Sequence, residues 1–280
     1  MIRQLALSTA LALILCACSS RQTPAPQGGA SPSSAGAPAA GTSGPGGAGT
    51  SGASPPTAPG AGASSSAAAN SPLALPTSSK WQPGVNYVVV SPAQPTNAPP
   101  GKVQVMEMFW LACPHCYALE PHLEAWRKKM PSYVQFVRVP VMWGPVQRAH
   151  AQLYYTLEAL GRHDLIDKAF QYIHGLEMQT GSESILVGSS KANTLRIQQA
   201  FAAKYGVAPS AFADAYNSFD VSTRLQQAEE IGQTYEINSV PTIIIDGRYR
   251  TNPAKAGGEN QLIQLIDFLA KWDHDHQSAG

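Results

Sequence analysis

Charge is missing from a long part of this 280-residue chain, since no residue between Arg21 and Lys80 carries one. Bulky apolar residues are also scarce there, and alanine, glycine, serine, proline and threonine dominate. A segment of this composition cannot bury enough surface to offset the entropy that it would lose on ordering. We therefore expect residues 18–80 to form a disordered tether that precedes a folded body.

Two further shortages limit the classes of function. The net charge of +1 lacks the basic excess that binding to nucleic acid requires, so we expect no such partner. No apolar run is long enough to span a bilayer comfortably, and the run Leu5–Leu15, behind a short basic start, has the length of a signal peptide. The chain is therefore expected to be exported to a compartment where disulfides persist.

Cysteine is rare, and the four positions are Cys16, Cys18, Cys113 and Cys116. Removal of a signal peptide leaves only the second pair in the body, which excludes a framework of distant disulfides. A second cysteine pair for a structural zinc is absent, and Tyr117 stands where attachment of a c-type haem requires histidine. We expect no metal and no cofactor, which leaves a reactive C-x-x-C pair.

The residues around this pair predict a strand followed by a helix. Lys102–Trp110 is rich in valine, methionine and aromatic residues, which is typical of a buried strand. Apolar residues then recur at helical spacing, and Pro114 occupies the first helical position. Cys113 would be the N-cap, where unpaired backbone N–H groups stabilise a thiolate. We expect a lowered pKa for Cys113, assisted by His115, and a higher pKa for the more buried Cys116.

The stretch "FWLACPHCYALEP" resembles the active site of DsbA-type thiol:disulfide oxidoreductases of the thioredoxin superfamily. "INSVPTIIIDGRY", Ile237–Tyr249, is similar to the cis-proline loop of that superfamily. The resemblance implies that Val240 and cis Pro241 bind substrate, whereas a trans proline at the start of a strand is the alternative. Glu107, six residues before Cys113, matches a buried acid beneath the disulfide, although a solvated strand position is also open.

The same resemblance implies an α/β protein, with a thioredoxin-like fold and an inserted all-helical domain. The thioredoxin-like domain would comprise residues 81–144 and 231–273, with the insertion at 145–230 and a polar tail at 274–280. Met142 and Trp143, at the junction, are expected in the core. Helical patterns are predicted near Val146–Leu160, Asp164–Ile173, Asn193–Lys204, Ser210–Tyr216, Ser222–Tyr235 and Glu259–Trp272, with Gly161, Gly175 and Gly206 as stops.

"LCACSS", Leu15–Ser20, resembles the cleavage site of bacterial lipoproteins, although Cys16 stands where serine or alanine is usual. The resemblance implies a signal peptide over residues 1–17 and lipid on Cys18. An ordinary cleaved signal that contains Cys18 is the alternative. The expected location is the periplasm, with the protein anchored by lipid to a bacterial membrane.

The function implied is oxidation of cysteine pairs in exported proteins through the Cys113–Cys116 disulfide. The enzyme would act as a monomer, because the uncharged tether is unsuited to a dimer interface. The resemblance implies that a DsbB-like membrane quinone reductase recharges it. Two alternatives stay open: a disulfide reductase or isomerase of the same superfamily, and a non-enzymatic binding module with a structural CPHC motif.

Overall fold

The structure is a computed structural model that describes residues 74–276. The predicted signal peptide, Cys18, most of the predicted tether and residues 277–280 lie outside the described part. Within residues 74–276 no helix is both long enough and apolar enough to cross a membrane.

A five-stranded sheet forms the centre of the described chain. The strand predicted over Lys102–Trp110 is confirmed as β2 (Val103–Phe109), which pairs parallel with β3 (Val134–Pro140) and antiparallel with β4 (Thr242–Ile245). All of its residues are buried, as expected for an apolar strand that has neighbours on both edges. The strands, in the spatial order β1-β5-β4-β2-β3, are β1 (Val88–Val89), β2 (Val103–Phe109), β3 (Val134–Pro140), β4 (Thr242–Ile245) and β5 (Tyr249–Thr251).

Within residues 74–276 eight helices accompany the sheet, and five consecutive ones lie between β3 and β4. These five form the helical insertion that the sequence predicts. The helices are α1 (Pro114–Arg127), α2 (Pro145–Ala159), α3 (Asp164–Thr180), α4 (Lys191–Ala203), α5 (Pro209–Tyr216), α6 (Phe219–Thr234), α7 (Pro253–Ala256) and α8 (Glu259–His276).

Two hydrophobic cores lie on the two faces of β2, because its side chains alternate between them. One contains Val105 of β2 together with Leu123 of α1 and Leu265 of α8. The other contains Met108 together with buried residues of the insertion and both cysteines of the CPHC motif. The segment Trp110–Cys113, which joins β2 to α1, belongs to this second core, and its packing there defines the geometry of the cysteines.

Two details of the insertion differ from the sequence predictions. Helix α3 continues through Gly175 and ends at Gly181, whose φ of 67° gives the left-handed cap that favours glycine. Trp143 was expected in the core but is 48% exposed. Its indole N–H donates to the carbonyl oxygen of Ile237 at 2.9 Å, so the polar edge of the ring is used at the surface of the junction.

The last residues of the predicted tether, 74–80, are among those that the structure describes. The hydroxyl of Tyr87 donates to the carbonyl oxygen of Pro76, and the ammonium group of Lys80 donates to Gln264 on α8. Residues 74–80 thus have defined contacts with the folded body. At the other domain boundary, α6 runs without a break through residue 230, and the boundaries themselves stay a prediction.

Gly247 closes the hairpin between β4 and β5, as the Asp246-Gly247 pair predicts. Its φ is 66°, and its carbonyl oxygen accepts a hydrogen bond from the backbone N–H of Gln94 at 3.0 Å. A Cβ atom built at Gly247 would lie 2.0 Å from the carbonyl oxygen of Gln94. The position therefore requires glycine for two independent reasons, the left-handed backbone and the close approach of a neighbouring chain segment.

We predict that Gly247→Ala destabilises the protein far more than Gly161→Ala. Gly161 has nearly the same φ, 65°, but a Cβ there meets nothing within 4 Å. The control should lose about 1–2 kcal/mol from left-handed strain alone, and Gly247→Ala should lose about 1–3 kcal/mol more from the clash. Urea unfolding followed by tryptophan fluorescence measures both, and equal losses would contradict the prediction.

Candidate active site

Cys113 is the N-cap of α1, as the sequence predicts. Its backbone is extended, with φ −87° and ψ 116°, and Pro114 follows in the first turn of the helix. The backbone N–H of Cys116 donates to Sγ of Cys113 at 3.3 Å, so sulfur occupies the place of the usual capping oxygen. Both cysteines are free thiols here, and both are buried.

The pKa values of the two thiols are shifted in opposite directions, down for Cys113 and up for Cys116. A hydrogen bond from the Cys116 thiol is the largest influence that lowers the pKa of Cys113, to about 7. The backbone N–H groups of Cys116 and His115 also lower it, and the charge of the His115 ring adds a smaller effect. Burial is the main reason that the pKa of Cys116 lies well above its ordinary value. The sulfur of Cys113, the outer of the two, thus forms a thiolate more readily and is the better leaving group, whereas Cys116 carries the inner thiol.

The exposed parts of the motif are Pro114 and His115. The backbone N–H of His115 acts on the sulfur of Cys113 more strongly than the imidazole does. The expected electrostatic help from the ring is therefore present but secondary to the helix N-terminus.

The Val240–Pro241 loop lies against Cys113, although 127 residues separate Val240 from it in the chain. The peptide bond between Val240 and Pro241 is cis, so the alternative of a trans proline is wrong. The thiol of Cys113 donates to the carbonyl oxygen of Val240 at 3.5 Å. The loop and the helix N-terminus thus surround the same sulfur atom.

Glu107 lies in the middle of β2 and is 1% exposed, which excludes a solvated strand position. Its Oε2 accepts from Nε of Arg138 on β3 at 2.8 Å. The same guanidinium donates to Oε1 of Glu120 on α1 at 2.6 Å. One buried cation is therefore shared by two buried carboxylates beneath the cysteines.

Burial and the charges of the cluster together set the pKa of Glu107. Burial raises the pKa of Glu107 to about 7, against the opposing attraction of Arg138, and the charge of Glu120 raises it further. Oε1 of Glu107 has no hydrogen-bond partner among residues 74–276. The Glu107 carboxylate also raises the pKa of Cys116. An acid that titrates near neutral pH thus interacts with the inner thiol.

The sequence analysis did not single out Glu120 or Arg138. A signal for Arg138 is present, because it interrupts the otherwise apolar end of β3, "FVRVPV". Glu120 follows Leu119 on the buried side of α1, where a carboxylate requires a partner. Neither pattern identifies the partner, which comes from another segment of the chain.

Comparison with known proteins places these residues in a family. The sequence model of a thioredoxin family matches residues 98–264. The thiol:disulfide interchange protein DsbA of Pseudomonas aeruginosa is 35% identical over 187 residues, which are 66% of this chain and 82% of the relative. The DsbA of Burkholderia cepacia is 37% identical over 193 residues, 69% of this chain and 85% of the relative.

A crystal structure of Pseudomonas aeruginosa DsbA is similar to the fold, with a TM-score of 0.62 and 33% sequence identity over 71% of this chain and 97% of that one. These similarities confirm the predicted thioredoxin-like fold with its helical insertion, and they set aside a non-enzymatic binding module. The chain belongs to the DsbA family of the thioredoxin superfamily and is a disulfide-forming thiol:disulfide oxidoreductase.

Proposed function

We propose that Cys113 and Cys116 are the redox-active pair and that Cys113 is the cysteine that exchanges with substrate. The observation that carries this assignment is the position of Sγ of Cys113, which accepts the Cys116 N–H at the start of α1 and lies 3.5 Å from the carbonyl oxygen of Val240. The helix N-terminus stabilises the thiolate of Cys113, whereas burial raises the pKa of Cys116 and keeps its thiol protonated.

The reaction starts from the oxidised Cys113–Cys116 disulfide. A substrate thiolate attacks Sγ of Cys113, the S–S bond breaks, and the electron pair and a proton go to Cys116. A second substrate thiolate then attacks the substrate sulfur of the mixed disulfide and releases Cys113 as thiolate. The substrate loses two electrons and gains a disulfide, while the enzyme becomes the dithiol.

Substrate would approach along the Val240–Pro241 loop. Proline has no backbone N–H, so the loop can present main-chain acceptors to an extended substrate without a competing donor at that position. This role for Val240 and Pro241 is supported by the closeness of the Val240 carbonyl to the sulfur that reacts.

Glu107 would transfer the proton of Cys116. Its pKa of about 7 allows it both to accept and to donate a proton at neutral pH. Glu120 and Arg138 would adjust this value, because they decide how much negative charge the buried cluster carries.

The proposed setting is the periplasm, where exported proteins with reduced cysteines are the substrates. A DsbB-like membrane quinone reductase would take two electrons from the dithiol and restore the disulfide. We further propose that Cys18 carries lipid and that the enzyme is a monomer on a membrane, a proposal supported by the "LCAC" sequence and the uncharged segment that follows it.

We predict that the single active-site thiol of a Cys116→Ser chain keeps a pKa below the ordinary free-thiol value of about 8.5, because the serine hydroxyl can donate in place of the Cys116 thiol. Its thiolate should attack the disulfide of an oxidised substrate protein, release one substrate cysteine as thiolate and stay trapped as a mixed disulfide, because no Cys116 thiol is present to resolve it. Alkylation rate against pH measures the pKa of Cys113. Adding His115→Ser should raise that pKa by less than about one unit, because the backbone N–H groups remain. An ordinary thiol pKa, or no trapped complex, would refute the assignment of Cys113.

We predict that Glu107→Gln slows the attack of Cys116 on a mixed disulfide by about ten-fold or more, since a general base is lost. In the parent this rate should rise as pH passes through about 7, because only the ionised carboxylate can accept the proton of Cys116. The variant should lose that rise. Stopped-flow measurement across pH tests the idea, with Glu229→Gln, an exposed carboxylate that pairs with Arg148, as the control. Matching profiles for Glu107→Gln and the parent would disprove the proposed proton transfer.

We predict that detergent-extracted protein lacks residues 1–17, carries lipid on Cys18 and scatters light as a monomer. Cys18→Ser should release the protein to the aqueous fraction without changing its rate of substrate oxidation. Intact mass and light scattering decide both points; an unmodified N-terminus contradicts the anchor, and a stable dimer contradicts the monomer.

A further inference from the structure

A buried hydrogen bond joins the segment before Cys113 to the helical insertion. The indole N–H of Trp110 donates to Nδ1 of His150, on α2, at 2.9 Å. Nε2 of the same histidine lies 2.7 Å from the carbonyl oxygen of Ile185, in the connection between α3 and α4. Trp110 is 8% exposed and His150 is 1% exposed. The role proposed above for Cys113 and Cys116 uses neither residue.

The two partners determine the tautomer of His150. An indole N–H can only donate, so Nδ1 must be the unprotonated nitrogen. A carbonyl oxygen can only accept, so Nε2 must carry the proton. The ring is therefore neutral and fully paired, and burial lowers its pKa to about 4, which keeps it neutral at physiological pH.

The main chain of Trp110 contacts both cysteines. Its carbonyl oxygen accepts from the backbone N–H of Cys113 at 3.0 Å and so closes the turn that precedes α1. Its backbone N–H interacts with the thiol of Cys116 and lowers the pKa of that thiol against the effect of burial. The orientation of Trp110 thus decides where the N-cap sulfur and the inner sulfur lie.

The insertion offers His150 a rigid support. The side-chain amide of Gln198, on α4, donates to the carbonyl oxygens of Ala149 at 3.0 Å and Leu186 at 3.2 Å. These residues are the chain neighbours of His150 and of its acceptor Ile185. Gln198 therefore holds the main chain next to His150 and the main chain next to Ile185, the two partners of that hydrogen bond.

We propose that His150 is a positioning residue for the redox pair, which holds Trp110 through Nδ1 and so keeps Sγ of Cys113 over the N–H of Cys116. This inference rests on the proposal that Cys113 and Cys116 are the reacting cysteines. Loss of the Trp110 bond would loosen the turn, weaken the stabilisation of the Cys113 thiolate and make the disulfide harder to reduce. The insertion would then contribute to the oxidising power of the site in addition to covering it.

Two substitutions at His150 separate the two hydrogen bonds. An asparagine amide reaches about the position of Nδ1, so His150→Asn keeps an acceptor for Trp110 but loses the donor to Ile185. A glutamine amide reaches about the position of Nε2, so His150→Gln keeps that donor and loses the acceptor. Trp110→Phe removes the indole N–H while leaving His150 unchanged. All three variants lose a ring or a polar contact in the same core.

The measured quantities are the pKa of Cys113, from alkylation rate against pH, and the thiol–disulfide equilibrium constant of the full chain with glutathione. We expect His150→Gln and Trp110→Phe each to raise the pKa and to shift the equilibrium about three- to ten-fold toward the enzyme disulfide. His150→Asn should stay within about two-fold of the parent. The double variant Trp110→Phe/His150→Gln should shift no further than either alone, because both remove one bond.

The outcomes are distinct. Equal shifts for asparagine and glutamine would show that His150 acts only by packing, and parental values for glutamine would show no role; either overturns the inference. If His150→Gln fails to fold, Trp110→Phe replaces it in the comparison with His150→Asn, and the same two outcomes overturn the inference. Substrate oxidation by a Cys113→Ser chain, in contrast, would refute the proposed redox pair, and this result does not depend on the His150 variants.

Discussion

The hydrogen bond from the Cys116 backbone to the Cys113 sulfur is the contact on which the chemistry of the site depends. It forms because Cys113 ends an extended segment and Pro114 starts a helix, so the sulfur meets N–H groups that have no partner within the helix. A thiolate at this position gains stabilisation that the disulfide does not have, and reduction of the pair becomes favourable. Packing of the segment Trp110–Cys113 against buried residues of the insertion holds it in this geometry.

The cluster beneath the cysteines gives the pair its asymmetry. Arg138 pairs with both Glu107 and Glu120, and one cation cannot neutralise two carboxylates in a buried site. Burial is the main reason that Glu107 is protonated near neutral pH and that Cys116 resists ionisation, and the negative charges of Glu120 and Glu107 add to these two effects respectively. The Cys113 thiol is made acidic by the hydrogen bond from the Cys116 thiol and by backbone donors, whereas the Cys116 thiol is kept protonated by burial and by the nearby charges of Cys113 and Glu107.

The helical insertion contacts the site through polar groups as well as through its core. Trp110 donates to His150 on α2, and Trp143, at the entrance to α2, donates to the carbonyl oxygen of Ile237 ahead of the Val240–Pro241 loop. One contact holds the segment before Cys113, and the other holds the loop that faces its sulfur. Both contacts therefore come from α2 or from the residues immediately before it.

The sequence by itself determined the local chemistry of this protein. The N-cap position of Cys113, the buried strand before it, most helices of the insertion and the turn at Gly247 follow from spacing and residue type, because they depend on neighbours a few residues away. The resemblance to a known family identified the Val240–Pro241 loop and Glu107. Only the tertiary structure decided that Arg138 joins Glu107 to Glu120, that His150 holds Trp110, and that Trp143 lies half exposed. These pairings link strands and helices that are distant in the chain, and a buried charge or ring shows in the sequence only that it needs a partner, not which residue the fold will provide.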